Sequence, residues 1–346
     1  MLADTIGIAV VGTGDWGANL VRNFAGLSGA RLVALCDSDP QRLAATVARY
    51  PGARACSLVE QIAAANDVQA VVVSASAVNH YALARTLLEA GKDVFVEKPL
   101  TLEVAHAEEL VRLAGERGRI LMVGHLLLYH PAVRYLKQMV TRGDLGDVLY
   151  IYSQRVNLGK VRRDENALWS FAPHDLSVIL HLLDEEPVDV VARGSAFLQP
   201  NVEDVVFVDL RFPGGKLAHV HVSWLDPHKL RKVTVVGSQK MVVFDDMEAS
   251  EKVRVYDKGV ERGGQVVSYG DALTVRSGDI LIPKISLQEP LRLECQHFVD
   301  CVRDRKTPLT DGADGLRVVR VLAAAQASLE QGGAPVPLSG LRQGVA

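Results

Sequence analysis

The chain has 346 residues, of which 48% are hydrophobic and 23% charged, and its formal net charge is -3. That length exceeds what a single core usually supports, so two domains are expected, and the composition excludes a disordered or fibrous chain. Acidic and basic residues are interspersed, so no basic stripe is present to neutralise the phosphates of a nucleic acid, and no run approaches the ~20 apolar residues of a membrane span.

In chain order, residues 6–11 form a β-branched apolar run that predicts a buried strand, stopped by a glycine-rich turn and followed by a helix over about 16–27. The pattern then repeats. Strands are predicted at 31–36, 70–74, 93–97 and 120–124, and helices at 41–50, 58–64, 81–90 and about 103–118. Apolar strands alternating with amphipathic helices predict a parallel sheet covered on both faces, an α/β Rossmann (doubly wound) domain over residues 1–125.

Beyond residue 125 the character changes. Residues 205–211 and 217–224 alternate strictly around Phe212-Pro213-Gly214-Gly215, which predicts an antiparallel hairpin with one exposed face. Further strand-like runs at 147–156, 189–197, 232–236 and 240–244, with helices at 292–303 and 314–330, predict an α+β domain over 126–346 built on a large, open, mostly antiparallel sheet. Residues 256–287 carry no assignable pattern. Cys36, Cys56, Cys295 and Cys301 include no C-x-x-C pair and read as reduced, buried thiols. With no basic segment ahead of the first apolar run, a cytoplasmic protein without a metal is expected.

Gly12-Thr13-Gly14-Asp15-Trp16-Gly17 matches G-x-G-x-x-G, directly after a strand and opening a helix. Gly12 makes the tight turn, Gly14 lets the backbone approach a pyrophosphate, and Gly17 lets helix and strand pack closely. Asp37 closes the second strand, 20 residues beyond the last glycine, where a carboxylate accepts from adenosine ribose hydroxyls and favours NAD over NADP. Asp39, ahead of Pro40, reads as a helix cap. The same edge of the sheet receives Ser74 at the end of the 70–74 strand, and Glu97 and Lys98 at the end of 93–97. On the residues alone Lys98 could equally be a surface lysine at a strand end.

These motifs are where the chain resembles the glucose-fructose oxidoreductase and inositol dehydrogenase (Gfo/Idh/MocA) family. Its members carry the glycine motif near the start, an A-G-K-x-V-x-x-E-K-P segment, here Ala90-Gly91-Lys92-Asp93-Val94-Phe95-Val96-Glu97-Lys98-Pro99, and a histidine on a second-domain helix, here His174. The resemblance implies that Lys98 hydrogen-bonds the reacting hydroxyl, that the Lys98-Pro99 bond is cis, and that His80 lies close to the nicotinamide. Gly12, Thr13, Gly14, Asp15, Trp16, Gly17, Asp37, Ser74, His80, Glu97 and Lys98 are therefore the expected cofactor-binding set, with Lys98 and His174 as the catalytic pair.

Pro173 predicts a helix start, which would put His174 in the opening turn, where the positive helix end keeps an imidazole neutral and available as a base. A packed or capping histidine is the alternative. The family commonly has an aspartate four residues before this histidine, and this chain has Ser170, so Asp175 or another group would have to substitute. Residues 167–175 and Asp311-Gly312-Ala313-Asp314-Gly315-Leu316-Arg317-Val318-Val319 look most like the nucleotide-sugar branch, which implies oxidation at C3 of UDP-N-acetylglucosamine or its uronic acid. Arg155, Asn157, Lys160, Arg162 and Arg163 precede the histidine segment and could meet a diphosphate or carboxylate, with Ser170 beside the substrate, or could be a solvated basic loop. A free sugar or cyclic polyol as substrate, and an NAD-binding regulator without catalysis, remain open as well. The resemblance also implies a homo-oligomer.

Overall fold

The computed structural model describes residues 5–159, 161–163, 165–262 and 273–338. The chain folds as two compact units, Met1–Tyr129 with Gln288–Arg320, and His130–Leu287 with Val321–Ala346.

The N-terminal stretch of the first unit runs β1 (Ile6–Val11), α1 (Gly17–Ala25), β2 (Ala30–Cys36), α2 (Pro40–Arg49), β3 (Arg54–Cys56), α3 (Val59–Ala63), β4 (Ala70–Val73), α4 (His80–Glu89), β5 (Asp93–Glu97), α5 (Val104–Glu116) and β6 (Leu121–Gly124). The strands form one parallel sheet in the order β3-β2-β1-β4-β5-β6. This is the expected Rossmann architecture, and its strand order reverses between β1 and β4. Val71, Val73, Val94 and Val96 pack with Leu87, Leu88 and Leu110 in a buried core, which is why these strands read as unbroken apolar runs. Only β3, three residues long, escaped the sequence pattern. Asp39 caps α2 as expected, its carboxylate accepting from the Gln41 and Arg42 amides.

The second unit continues with α6 (Pro131–Arg142), β7 (Val148–Val156), α7 (Ala167–Leu183), β8 (Asp189–Ser195), β9 (Val205–Arg211), β10 (Leu217–Ser223), β11 (Leu230–Gly237), β12 (Met241–Asp245), β13 (Val253–Arg262) and β14 (Leu273–Leu281). Later in the chain come α8 (Pro290–Asp304), which belongs to the first unit, α9 (Gly312–Glu330), and β15 (Val336–Pro337). The sheet order is β14-β13-β12-β11-β7-β10-β9-β8-β15, with β7 and β10 parallel and the other neighbours antiparallel. The hairpin expected at 205–224 is present as β9 and β10. Val206, Val208, Val220 and Val222 are buried on the face that α7 covers, while Phe207, Asp209, His219 and His221 point the other way.

Two expectations need correction. Within 256–287 the described residues 256–262 and 273–281 belong to the paired strands β13 and β14, residues 263–272 lie outside the described residues, and 282–287 carry no regular element. The pattern was unreadable because the hairpin lies at the sheet edge, where apolar Val275 and Ile280 are exposed along with the polar residues, so burial imposes no alternation. The second correction concerns α7, which begins at Ala167 and contains Pro173 in its interior. The Asn166 side chain caps it by accepting from the Trp169 amide at 3.1 Å. His174 therefore sits mid-helix, away from the positive helix end that was expected to keep its imidazole neutral.

Candidate active site

The glycine-rich turn sits at the carboxyl end of β1, beside the strand reversal, where open α/β sheets take ligands. Gly12 adopts φ +91°, a conformation that side chains disfavour, and its amide donates to the Cys36 carbonyl at 2.8 Å. A Cβ on Gly17 would lie 2.1 Å from the Gly12 carbonyl oxygen, whereas one on Gly14 would meet only the Arg42 guanidinium at 3.8 Å. Gly17 thus serves close packing, and Gly14 leaves open backbone. Among the described residues no side chain caps α1 and no acid occupies its first turn. The Ala18 and Asn19 amides already donate to the Gly14 and Trp16 carbonyls, each at 2.9 Å, so it is the glycine turn ahead of them, at the positive end of the helix dipole, that is suited to a diphosphate.

Thr13 ties this turn to β2, since its amide and hydroxyl both donate to the Asp37 carboxylate, at 2.7 and 2.9 Å. Burial pushes the Asp37 carboxyl up, but the Asp39 and Thr13 amides, the Thr13 hydroxyl and the Arg42 charge outweigh it, so the group lies below the usual carboxylate range. It is ionised at neutral pH and able to accept from ribose hydroxyls. Ser74 braces the turn from β4, its hydroxyl donating to the Gly12 carbonyl at 2.7 Å. Asp15 is exposed, and its carbonyl accepts from the Asn19 amide group at 3.2 Å.

Glu97 links the turn to the lysine segment. One carboxyl oxygen accepts from the Trp16 indole at 2.6 Å and the other from the Lys98 amide at 3.2 Å. Burial pushes this carboxyl up to about 7, against the pull of the Trp16 hydrogen bond and the Lys98 charge. The Lys98-Pro99 bond is cis, as the resemblance implied. His80 opens α4 with its ring buried; Nδ1 lies 2.7 Å from the Pro99 carbonyl and Nε2 3.0 Å from the Ala75 carbonyl, so it braces the loops after β4 and β5. The expected cofactor set lies along one edge of the first unit, with Asp15 and Trp16 exposed.

In the second unit Ser170 and half-buried His174 share a face of α7, four residues apart. Asp175 faces elsewhere. Fully buried, it accepts from Arg155 Nε at 2.6 Å and from the Ser153 hydroxyl, both side chains projecting from the same face of β7. Asp175 is thus engaged by the sheet and does not stand in for the family's aspartate beside His174. Arg155, only 8% exposed, is withdrawn from the basic group to which sequence adjacency assigned it. Arg163 is exposed, Arg162 pairs with Glu165 at 3.0 Å, Asn157 is half-buried, and Lys160 lies outside the described residues.

Sequence reasoning missed Glu294. It lies on α8 among Leu291, Cys295, Phe298 and Val302, fully buried. A glutamate inside an apolar helical stripe was the available signal.

Residues 6–125 match the model of an oxidoreductase family with an NAD-binding Rossmann fold, and residues 133–243 that of the GFO/IDH/MocA C-terminal domain. The UDP-N-acetylglucosamine 3-dehydrogenase of Acidithiobacillus ferrooxidans is 25% identical over 93% of this chain and 96% of its own, and its solved structure shares the fold with a TM-score of 0.80, covering 95% and 98% of the two chains at 24% identity. An inositol 2-dehydrogenase of Pseudomonas fluorescens is 28% identical over 96% of each chain. A solved structure from Magnetospirillum magnetotacticum is 31% identical, with a TM-score of 0.78 over 92% of this chain and 99% of that one. Among the described residues no helix is long and apolar enough to cross a membrane.

Proposed function

This chain belongs to the Gfo/Idh/MocA family of NAD-binding oxidoreductases, and from that premise we propose that it is a cytoplasmic, homo-oligomeric dehydrogenase that oxidises C3 of a UDP-N-acetylhexosamine or its uronic acid. The observation that carries the reading is the cofactor edge itself: an open Gly14 backbone, an uncapped helix start and an ionised Asp37, with Lys98 tethered to the same turn through Glu97 and Trp16. Asp37 accepts from the adenosine ribose, and the glycine turn ahead of α1 holds the diphosphate. When bound, NAD supplies the hydride acceptor. The Lys98 ammonium stabilises the negative charge that develops on the substrate oxygen, and His174 accepts the hydroxyl proton. Ser170, Asn157 and Arg163 are the side chains proposed to meet the sugar and its diphosphate.

The full-length similarity to a nucleotide-sugar 3-dehydrogenase supports the substrate class. Removal of Arg155 from the basic group, together with similarity to an inositol dehydrogenase, supports a second reading in which the substrate is a free sugar or cyclic polyol. A third, a regulator that binds NAD without catalysis, draws on the uncharged Ser170. A panel of UDP-sugars, hexoses and inositols, with reduced cofactor followed by absorbance, separates them. Turnover confined to UDP-N-acetylhexosamines or their uronic acids is expected; turnover confined to free polyols overturns the substrate assignment, and tight NAD binding with no turnover leaves the regulator.

The oligomer reading rests on the sheet face away from α7. Tyr150 pairs with Leu217, Tyr152 with His219, and Phe207 with His221, which places an apolar and aromatic patch on one side. Tyr150 (44%), Phe207 (41%) and Leu217 (53%) are well exposed in the single chain. Wild-type protein should elute as a dimer or larger, and Tyr152→Glu, which places a charge at the patch centre, should elute as a monomer. A monomeric wild type removes this part of the reading.

A further inference from the structure

The sheet order divides the cofactor edge in two. From β1, whose end carries the glycine turn, β2 lies one strand to one side and β5 two strands to the other. Asp37 follows β2 and Glu97 ends β5, so the two carboxylates mark points three strand spacings apart, roughly 14 Å. With the diphosphate on the turn and the adenosine ribose at Asp37, the nicotinamide half of NAD extends the other way, toward β4 and β5.

Trp16 is the aromatic side chain of that half. It stands at the end of the turn, immediately before Gly17 opens α1, and its indole N–H donates to the Glu97 carboxylate at 2.6 Å. The ring therefore reaches from the end of β1 across β4 to the end of β5. Its anchor is held in turn. Glu97 is buried, and its carboxyl group occupies the space that Gly124 leaves opposite it on β6: a Cβ there would lie 3.0 Å from each atom of that group. The loops after β4 and β5 are pinned to each other by the His80 ring, which lies 2.7 Å from the Pro99 carbonyl and 3.0 Å from the Ala75 carbonyl.

The indole is fixed by its nitrogen-bearing edge, yet Trp16 is 41% exposed. Leaving so much of the largest apolar side chain in water forgoes burial energy, and the turn itself does not call for an aromatic ring, since its backbone is set by the glycines. A ring whose direction is fixed and whose surface is open, on the nicotinamide side of the diphosphate turn, is a stacking platform.

We propose that the Trp16 indole is the wall against which the nicotinamide ring of NAD stacks. The oxidised nicotinamide is a planar cation, and an indole face, with its negative quadrupole, is the best side-chain surface to receive one. The direction in which the nicotinamide half extends rests on the assignment of Asp37 to the adenosine ribose under the proposed function.

The experiment compares NAD with ADP-ribose, which keeps the adenosine, the diphosphate and the second ribose and lacks the nicotinamide ring. By calorimetric titration Trp16→Ala should raise the dissociation constant for NAD about tenfold, the equivalent of one aromatic stack, and that for ADP-ribose by less than about twofold. Trp16→Phe keeps a ring face and should bind NAD within about threefold of the wild type. Emission provides a second readout. The chain has three tryptophans, and the Trp16 component is the part of the emission that Trp16→Phe lacks. An oxidised nicotinamide in contact with the excited indole accepts an electron from it, so NAD should quench that component and ADP-ribose should not.

Equal weakening of NAD and ADP-ribose in Trp16→Ala would mark a purely structural ring and overturn the proposal. So would unchanged NAD affinity in that variant, or Trp16 emission that bound NAD leaves unquenched. Trp16→Leu takes the place of Trp16→Ala if the latter does not fold. Asp37→Ala separates this inference from the reading beneath it: that variant should weaken NAD and ADP-ribose alike, and if it weakens neither, the adenosine assignment falls while the Trp16 result stands on its own arms. No turnover enters these measurements, so a substrate panel that fails overturns the proposed function and leaves this inference standing.

Discussion

Replacing Lys98 with alanine should lower turnover about 100- to 1,000-fold, the range for loss of one charged donor to a developing oxyanion, while the affinity for NAD changes by less than about threefold. The asymmetry follows from the architecture. Truncating the side chain leaves the Lys98 main-chain amide on Glu97, and the Glu97 bond to Trp16 is untouched, so the turn that receives the cofactor keeps its brace. Binding of NAD by calorimetry and single-turnover rates of cofactor reduction measure the two effects separately. Lys98→Arg should not rescue the rate, because a planar guanidinium carries its charge further out and in a different geometry from an ammonium. A Lys98→Ala variant as fast as the wild type removes Lys98 from the chemistry. One secondary effect is also expected: without the lysine charge, one of the pulls on Glu97 is lost and its carboxyl titrates higher.

The first sheet was legible because its strands are buried on both faces, and an unbroken run as short as Ala70–Val73, set between turn residues, fits a doubly covered strand better than a helix. The cofactor edge was legible for a related reason. Backbone geometry dictates residue type at Gly12 and Gly17, so spacing alone identified a place in three dimensions. His174 was placed on a helix but at the wrong point of it. Proline is compatible with a first turn and, less often, with an interior, and the local residues do not show that Asn166 caps the helix seven residues before Pro173. The Arg155–Asp175 pair was missed because its partners lie 20 residues apart on a strand and a helix, and charge adjacency in sequence suggested a loop instead. Glu294 illustrates the remaining limit: its stripe was visible, but that the stripe packs into the first unit, with Phe298 edge-on to Phe95, is known only once α8 is laid along β5.

Two glycine substitutions three residues apart should separate folding from cofactor binding. In Gly17→Ala the new methyl would stand 2.1 Å from the Gly12 carbonyl oxygen and 2.8 Å from the Ser74 hydroxyl. A backbone oxygen fixed at the end of β1 cannot rotate away, so α1 or the turn must shift, at a cost of about 1–3 kcal/mol in stability, and NAD binding is lost with the displaced helix start. Gly14→Ala presents the opposite case. Its methyl has only the Arg42 guanidinium nearby, at 3.8 Å, and the glycine has no positive φ to strain. The protein should melt where the wild type does. The methyl nevertheless stands on the backbone that a diphosphate must approach, and losing one to two charge-assisted hydrogen bonds there corresponds to about 100-fold weaker NAD binding. Thermal melts and calorimetric titration with NAD on both variants test the pair. If Gly14→Ala binds NAD as tightly as the wild type, the diphosphate does not lie over this turn, and the assignment of Asp37 and the glycine turn to the cofactor falls with it.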